Sequence, residues 1–552
     1  MKRGQHAIMA VMILGALIFC STHGYAASKE EYQNVLVEHL EMGPATYLNL
    51  NVHGATAADI DNKLAELYHG NGLQPFWIRD GMPDKRAADI LAVLEDVESH
   101  GLHPDSYFID MIHNHWDRKD TVGLVRLDIL LTLGMLRYVA DQAEGRIEPH
   151  EVDPKLFATA RDVEVDWGPL LQSAFEAPDM KTYLEQQAPP FVQYRKLKNK
   201  LAEYRALAAE DGWPSIPAGK ALKSGMEDQR VTIVRKRLLA TGDMAPENMD
   251  SVVFDTALAE AVKRFQKRHN LKPDGAVGEQ TLAAMNVPVK ARIEQIIINM
   301  ERYRWLKRRI EDRMVAVNIA GFEAFAGKPG KFDLQMPVIV GKEYHKTPVF
   351  SDTIKYVVIN PYWNLPPSIA RNETLAKLKK DPHYLETHNL RIFQGWGADA
   401  PELDAATIDW GKVSKKGMDQ YRIRQDPGPD NALGTLKLVF PNKYNVYLHD
   451  TPAHGLFEQE KRAFSHGCIR LGRPAEMAAW VLGGEEKGWS IERIKEIVAT
   501  QKREMIVLDQ PVTVLILYRT AFVGWEDDVL YFYEDIYGRD QLLAKALFGS
   551  GK

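Results

Sequence analysis

The chain has 552 residues, too many for one hydrophobic core, and a length that predicts about three domains. Hydrophobic residues at 45% and charged residues at 26% are ordinary for a soluble globular protein. A formal net charge of -6 provides no basic surplus to track phosphates, so nucleic acid is not an expected partner.

The first residues read as an address. Lys2 and Arg3 precede an apolar run from Ala7 to Phe19, and Gly24-Tyr25-Ala26 puts small residues where a signal peptidase reads. Residues 1–26 are therefore expected to be a signal peptide cleaved after Ala26, which sends the mature chain to the periplasm. The alternative is an uncleaved inner-membrane anchor, although the run is short for a span of about 20 residues. Cys20 makes a poor lipidation site because bulky Phe19 precedes it. Once this segment leaves, Cys468 is the one remaining cysteine. Exported proteins usually pair their cysteines or lack them. A lone thiol there is either used for its reactivity or buried and inert.

Residues 27–229 are predicted to form a helical scaffold domain. Segments 57–69, 85–100 and 124–142 carry apolar residues at helical spacing, punctuated by Asp80-Gly81 with Pro83 and by Gly101 with Pro104. No catalytic constellation stands out here. The aromatic stretch Asn71-Gly72-Leu73-Gln74-Pro75-Phe76-Trp77 reads as core or turn packing ahead of a contact site.

The pattern changes over 230–288. Helices are predicted at 231–239, 254–269 and 281–285, with the tight loop Leu271-Lys272-Pro273-Asp274-Gly275-Ala276-Val277-Gly278 between the last two. Gly275 can take a turn with φ > 0 and Asp274 can cap it. With Phe265-Gln266, Leu271, Asp274-Gly275, Gly278 and Thr281 in order, this stretch resembles the small three-helix peptidoglycan-binding domain. The other reading of the same stretch is a helical spacer that binds nothing.

After a helix at 289–305, β character dominates up to residue 510. Strands are predicted at 314–319, 336–340, 356–359, 435–440 and 446–449, rich in Val, Ile and aromatics. Residues 370 to about 415 look like a helical, polar insertion, with helices at 375–380 and 383–388. An insertion of that length is more often a functional lid than a connector. Residues 511–552 are expected to complete the unit with a hairpin of 511–518 and 529–533 and a helix at 541–547.

Chemistry concentrates in Tyr447-Leu448-His449-Asp450-Thr451-Pro452 and Phe464-Ser465-His466-Gly467-Cys468-Ile469-Arg470-Leu471. His449 ends a predicted strand, and one loop returns the chain to Cys468, a geometry suited to a base and a nucleophile. A thiol near its free pKa of about 8.5 is only a few per cent ionised at neutral pH, so a neighbouring imidazole is needed to take its proton. Gly467 removes bulk beside the sulfur, and backbone N–H groups around Gly467 and Cys468 can face an oxyanion. Arg470 can present its planar fork to a carboxylate. Asp450 should point away from the face of His449, since neighbours on a strand alternate. Arg422 and Arg424 read as a solvated strand face.

The string Ser465-His466-Gly467-Cys468-Ile469-Arg470 with upstream His449 resembles the active-site motif of the L,D-transpeptidases. The likeness extends to Thr347-Pro348-Val349-Phe350-Ser351, Asn360-Pro361-Tyr362-Trp363-Asn364 and the run from Pro427 to Gly434. The helical region, binding domain and lid resemble the large Gram-negative subfamily. The resemblance implies an α+β multidomain chain whose mainly-β catalytic domain, 289–510, bears a lid. It also implies a cysteine acyltransferase. On this resemblance Cys468 would attack the third residue, meso-diaminopimelate, of a peptidoglycan tetrapeptide donor and release D-Ala. An acceptor stem amine would then complete a 3→3 cross-link. His449 would be the general base, oriented by a backbone carbonyl. Ser465, His466 and Gly467 shape the oxyanion pocket or hold its loop. Tyr447, Trp363 and Asn364 join Arg470 as candidates to contact substrate, with core packing open for Tyr447 and Trp363. No metal or other cofactor is expected, and carbapenems acylate the same cysteine.

Three other readings compete. His449, His454 and His466 cluster in sequence, yet no metalloprotease ligand spacing accompanies them. The same acyl-enzyme could pass its acyl group to water, a D-amino acid or a lipoprotein lysine. A non-catalytic peptidoglycan-binding scaffold is the third, and the intact His449/Cys468 pair argues against it.

Overall fold

A computed structural model describes residues 28–50, 52, 55–155, 167–308 and 313–549. The predicted signal segment lies outside these. Among the described residues no helix is long and apolar enough to cross a membrane.

The N-terminal unit is helical. Helices α1 (Lys29–Glu41), α2 (Ala57–Gly70) and α3 (Lys85–Glu95) surround α4 (Thr121–Glu144), which is buried over most of its circumference. Thr56 and Asp59 form a capping box at the start of α2, satisfying two otherwise orphaned amides. Buried Asp128 on α4 accepts from the Phe76 and Trp77 amides and from the Tyr68 hydroxyl. Burial raises its pKa to about 6 despite those bonds. Phe76 and Trp77 are both buried, so the aromatic stretch is packing.

Helix α5 (Val192–Ala209) leads to the second unit, built from α6 (Arg230–Ala240), α7 (Thr256–Arg268) and α8 (Glu279–Met285). Val231, Val234, Leu238, Leu258, Val262, Phe265 and Met285 fill its core. Gln266 explains the motif. Its amide nitrogen donates to Asp274 Oδ1 at 2.8 Å, to the Ala276 carbonyl at 2.9 Å and to Thr281 Oγ1 at 3.1 Å, and its oxygen accepts from the Gly275 amide at 2.8 Å. Gly275 sits at φ +75, as the turn requires. These motif residues hold the loop together.

Helix α9 (Val289–Arg304) enters the third unit, whose strands are β1 (Met314–Asn318), β2 (Glu323–Lys328), β3 (Lys331–Gly341), β4 (Phe350–Ile359), β5 (Trp363–Asn364), β6 (Leu390–Gln394), β7 (Glu402–Leu403), β8 (Tyr421–Gln425), β9 (Leu436–Val439), β10 (Leu448–His449), β11 (Ala463–Ser465), β12 (Ile469–Leu471), β13 (Glu504–Leu517), β14 (Ala521–Val523) and β15 (Leu530–Phe532). Helix α10 (Pro474–Leu482) follows β12 and α11 (Arg539–Phe548) ends the described chain. Nine strands form one sheet in the order β11-β3-β12-β10-β9-β4-β13-β1-β2. Strand β3 pairs with β2 along its first part and with β12 along its last, so the sheet closes on itself. Val315, Val317, Val338, Val340, Val357, Leu438, Leu448, Ile469 and Val514 fill its core, covered by α10.

Two expectations need correction. The 511–518 segment does not pair with 529–533. It belongs to β13, parallel to β1 and antiparallel to β4. Its near-continuous burial from Val512 to Leu517 is that of a central strand. The terminal hairpin is instead β14 with β15, and it packs on α5 and α9. The insertion is also not simply helical. Strands β5, β8, β6 and β7 make a four-stranded sheet with its own core of Leu365, Leu378, Ile392, Trp410, Met418 and Ile423. The inserted unit therefore begins at β5 and ends at β8, beyond both ends of the helical stretch. The chain is an α+β multidomain protein.

Candidate active site

Strands β10 and β12 run parallel, with Leu448 opposite Ile469 and His449 opposite Arg470. The Ile469 amide donates to the Tyr447 carbonyl at 3.1 Å, which carries the register back to Cys468 beside Tyr447. Leu448 and Ile469 point into the core at 0% exposure. Alternation then puts Tyr447, His449, Cys468 and Arg470 together on the opposite face. His449 and Cys468 are diagonal neighbours on that face. The Tyr447 and His449 rings are 5.5 Å apart.

Strand β9 adds a residue that sequence reading passed over. Lys437 is opposite His449 and its Nζ lies 3.7 Å from the Tyr447 ring centroid. Its signal was the alternation of segment 435–440, which places Lys437 off the buried face.

The loop before Cys468 is braced from within. Ser465 Oγ accepts from the Gly467 amide at 3.0 Å and donates to the Cys468 carbonyl. Thr347 Oγ1 donates to the Gly467 carbonyl at 2.9 Å and accepts from the Gly341 amide at 2.9 Å. Two details revise the reading of Gly467. Its N–H is taken by Ser465, so it does not face open space. A Cβ there would meet its nearest atom, the His345 carbonyl oxygen, at 3.7 Å, which is ordinary contact. Glycine is required by φ +116, not by lack of room.

The electrostatics oppose each other. Burial raises the Cys468 thiol, and this is the largest influence. Hydrogen bonds from Tyr447 and the charges of Lys437 and Arg470 act the other way. The thiol donates weakly to the Asn445 carbonyl at 3.6 Å. Burial, then Arg470, lower His449 to about 3, while backbone groups of Asp450 and Leu433 act in its favour. Its Nδ1 has no hydrogen-bond partner among the described residues. The resting pair is thus neutral near pH 7. Burial also lowers Arg470, and its Nε is buried without a partner among the described residues.

Asp450 is turned elsewhere, accepting from the Thr435 amide and hydroxyl, each at 2.8 Å. His466 points to the insertion, where its Nε2 lies 2.7 Å from Glu373 Oε1. Trp363 and Asn364 lie on β5 of the inserted sheet, opposite Gln425 and Arg424. Trp363 packs on the insertion core. The Arg424 guanidinium stacks on Tyr362 at 4.3 Å and pairs with Asp426 at 2.7 Å.

A β-domain carrying this cysteine–histidine face, preceded by a small helical domain closed by the Gln266 loop, defines a class that comparison with known proteins identifies. Residues 312–506 match the L,D-transpeptidase catalytic domain, 227–285 the "Putative peptidoglycan binding domain", and 62–201 a scaffold domain. Residues 312–506 thus carry an L,D-transpeptidase catalytic domain. A Haemophilus influenzae protein named "Putative L,D-transpeptidase" is 35% identical over 227 residues, 41% of this chain and 44% of that protein. The match thus spans less than half the length of that relative. Among solved structures, an L,D-transpeptidase of Xylanimonas cellulosilytica aligns with 15% identity over 55% of this chain and 99% of its own, at a TM-score of 0.18. One of Stackebrandtia nassauensis aligns with 14% identity over 55% and 96%, at 0.21.

Proposed function

We propose that this protein is a periplasmic enzyme that forms 3→3 cross-links in peptidoglycan through an acyl-enzyme on Cys468. The observation that carries the proposal is the common face of Tyr447, His449, Cys468 and Arg470 on two parallel strands of an L,D-transpeptidase catalytic domain. The 227–285 domain supports a peptidoglycan substrate.

In the first half-reaction Sγ bonds to the carbonyl carbon of the donor's third residue and its proton passes to His449. A base held to about 3 is too weak to ionise the thiol in advance. It gains strength as negative charge grows on the substrate, because that charge offsets the fields of Arg470 and Lys437. The tetrahedral intermediate then expels the amine of D-Ala, which takes the proton from His449 as the C–N bond breaks. In the second half-reaction the acceptor's side-chain amine attacks the thioester, gives a proton to His449, and the thiol is restored. The Cys468 amide is the oxyanion donor that remains once Gly467 N–H is engaged by Ser465. One such donor is worth about 2.7–4 kcal/mol of barrier. Arg470, whose Nε has no partner among the described residues, receives a stem carboxylate.

The test is product analysis on purified disaccharide-tetrapeptides. Wild type yields 3→3 dimers and free D-Ala, and C468A yields neither while keeping its melting transition. Dimer formation by C468A at the parental rate would remove the cysteine from the mechanism. Mass spectrometry after meropenem exposure should find the adduct on Cys468.

A further inference from the structure

A second cluster lies outside the Cys468 face, where the insertion meets the catalytic domain. His345 ends the short turn Glu343–His345 that follows β3. His466 lies between β11 and β12. Glu373 sits on the helical turn Ala370–Thr374 of the insertion. His466 Nε2 is 2.7 Å from Glu373 Oε1, and the His345 and His466 ring centroids are 4.9 Å apart. One ligand atom from each of the three lies within 4.8 Å of the others. From this convergence we propose that His345, His466 and Glu373 bind one Zn²⁺-type divalent ion that clips the insertion to the loop carrying Cys468.

The donor set is the reason. Two imidazole nitrogens and one carboxylate oxygen, with water in the fourth position, are a common environment for zinc. Ligand bonds of about 2.0–2.1 Å place tetrahedral donors roughly 3.4 Å apart, so the widest separation here, within 4.8 Å, must close by up to about 1.4 Å. Glu373 and His466 are exposed, which leaves room for that movement. The backbones behind the histidines are already tied together. Thr347 Oγ1 bridges the Gly341 amide and the Gly467 carbonyl, and the Lys342 amide donates to the Ser465 carbonyl at 3.0 Å.

The simpler alternative is an exposed His466–Glu373 ion pair, worth about 0–1 kcal/mol. It gives His345 no role. The His345 ring, 4.9 Å from that of His466, stands beside the pair and supplies the third donor. Lys155 and Lys342 also face His345, and a bound cation must overcome them. Glu373 supplies the compensating charge. Hard cations that prefer all-oxygen sites gain nothing from the imidazoles.

The binding test uses the C468A protein, because a free thiol would itself take zinc. Isothermal titration with ZnSO4 should give one site per chain, with MgCl2 giving none. H345A and E373Q, each in the C468A background, should weaken zinc binding by at least about 10- to 100-fold. Zinc should also slow hydrogen exchange at 370–378 and at 463–469 together. Equal zinc affinity in the parent and either variant overturns the proposal, as does the absence of saturable binding. Binding that protects only one of the two segments overturns the clip. None of these readouts needs transpeptidation, so they stand or fall independently of the proposed reaction.

Discussion

Replacing Lys437 by methionine should make Cys468 harder to ionise by about one pK unit. Lys437 Nζ lies 3.7 Å from the centroid of the Tyr447 ring, and the Tyr447 hydroxyl interacts with the Cys468 sulfur. Half a ring and one hydrogen bond put the ammonium on the order of 7 Å from the sulfur, and an effective dielectric near 20 gives about 2.4 kcal/mol of attraction. Lys437 is half-buried, so solvent and salt remove about half of this. About 1.2 kcal/mol remains, close to one pK unit. Methionine keeps the apolar stem over the Tyr447 ring and deletes only the charge. The assay is the pH dependence of iodoacetamide alkylation in a chain starting at residue 27, where Cys468 is the one thiol. The midpoint should rise by about one unit in K437M and stay near the parental value in K437R. An unchanged midpoint in K437M would show that Lys437 does not set the state of the sulfur, and the electrostatic account of the site would fail.

Acid should act on stability through His449. Its folded pKa of about 3 is below an unfolded value near 6.5, so the unfolded chain binds the extra proton and stability falls as pH drops through 6.5. At pH 5 this one group costs about 2 kcal/mol. Melting curves of H449Q and wild type should therefore shift in favour of the variant between pH 7 and pH 5, and a constant Tm difference would contradict the burial assigned to the ring. Q266A breaks three donated bonds and strands the Gly275 amide, at about 1 kcal/mol for each net bond. Hydrogen exchange should rise at 271–281 while the catalytic sheet is unaffected; loss of protection in β13 would mean that the two units unfold together. Excision of 363–425 with a short linker should leave the nine-stranded sheet intact and weaken stem binding. Excision of 370–415 alone cuts through the core around Trp410 and should aggregate, which size-exclusion chromatography distinguishes.

The candidate active-site string was legible because its residues are chemically unusual and adjacent. A cysteine directly after Ser465-His466-Gly467 declares itself without any fold. The Gln266 loop was legible for a related reason: Asp274, Gly275 and Thr281 satisfy one another locally, so their spacing is a direct record of the turn. Helices within 57–69, 85–100 and 124–142 and the three of the binding unit followed from apolar periodicity, although the 85–100 segment is α-helical only to Glu95.

Other features depended on partners far away in the chain. The 511–518 segment carries the same apolar residues whether it is half a hairpin or a central strand, and only pairing with β1 and β4 chose between them. The inserted sheet was missed because β5 and β7 are two residues each, too short for alternation to register. Lys437 and Glu373 carry no local mark of function, and only β9 and the insertion bring them to His449 and His466. The sequence by itself pointed to the groups proposed to do chemistry and to where the local turns fall, since both are written in neighbouring residues. The tertiary structure alone decided which charges face the sulfur and what braces its loop, because strand register is set by packing across the whole sheet and leaves no local trace.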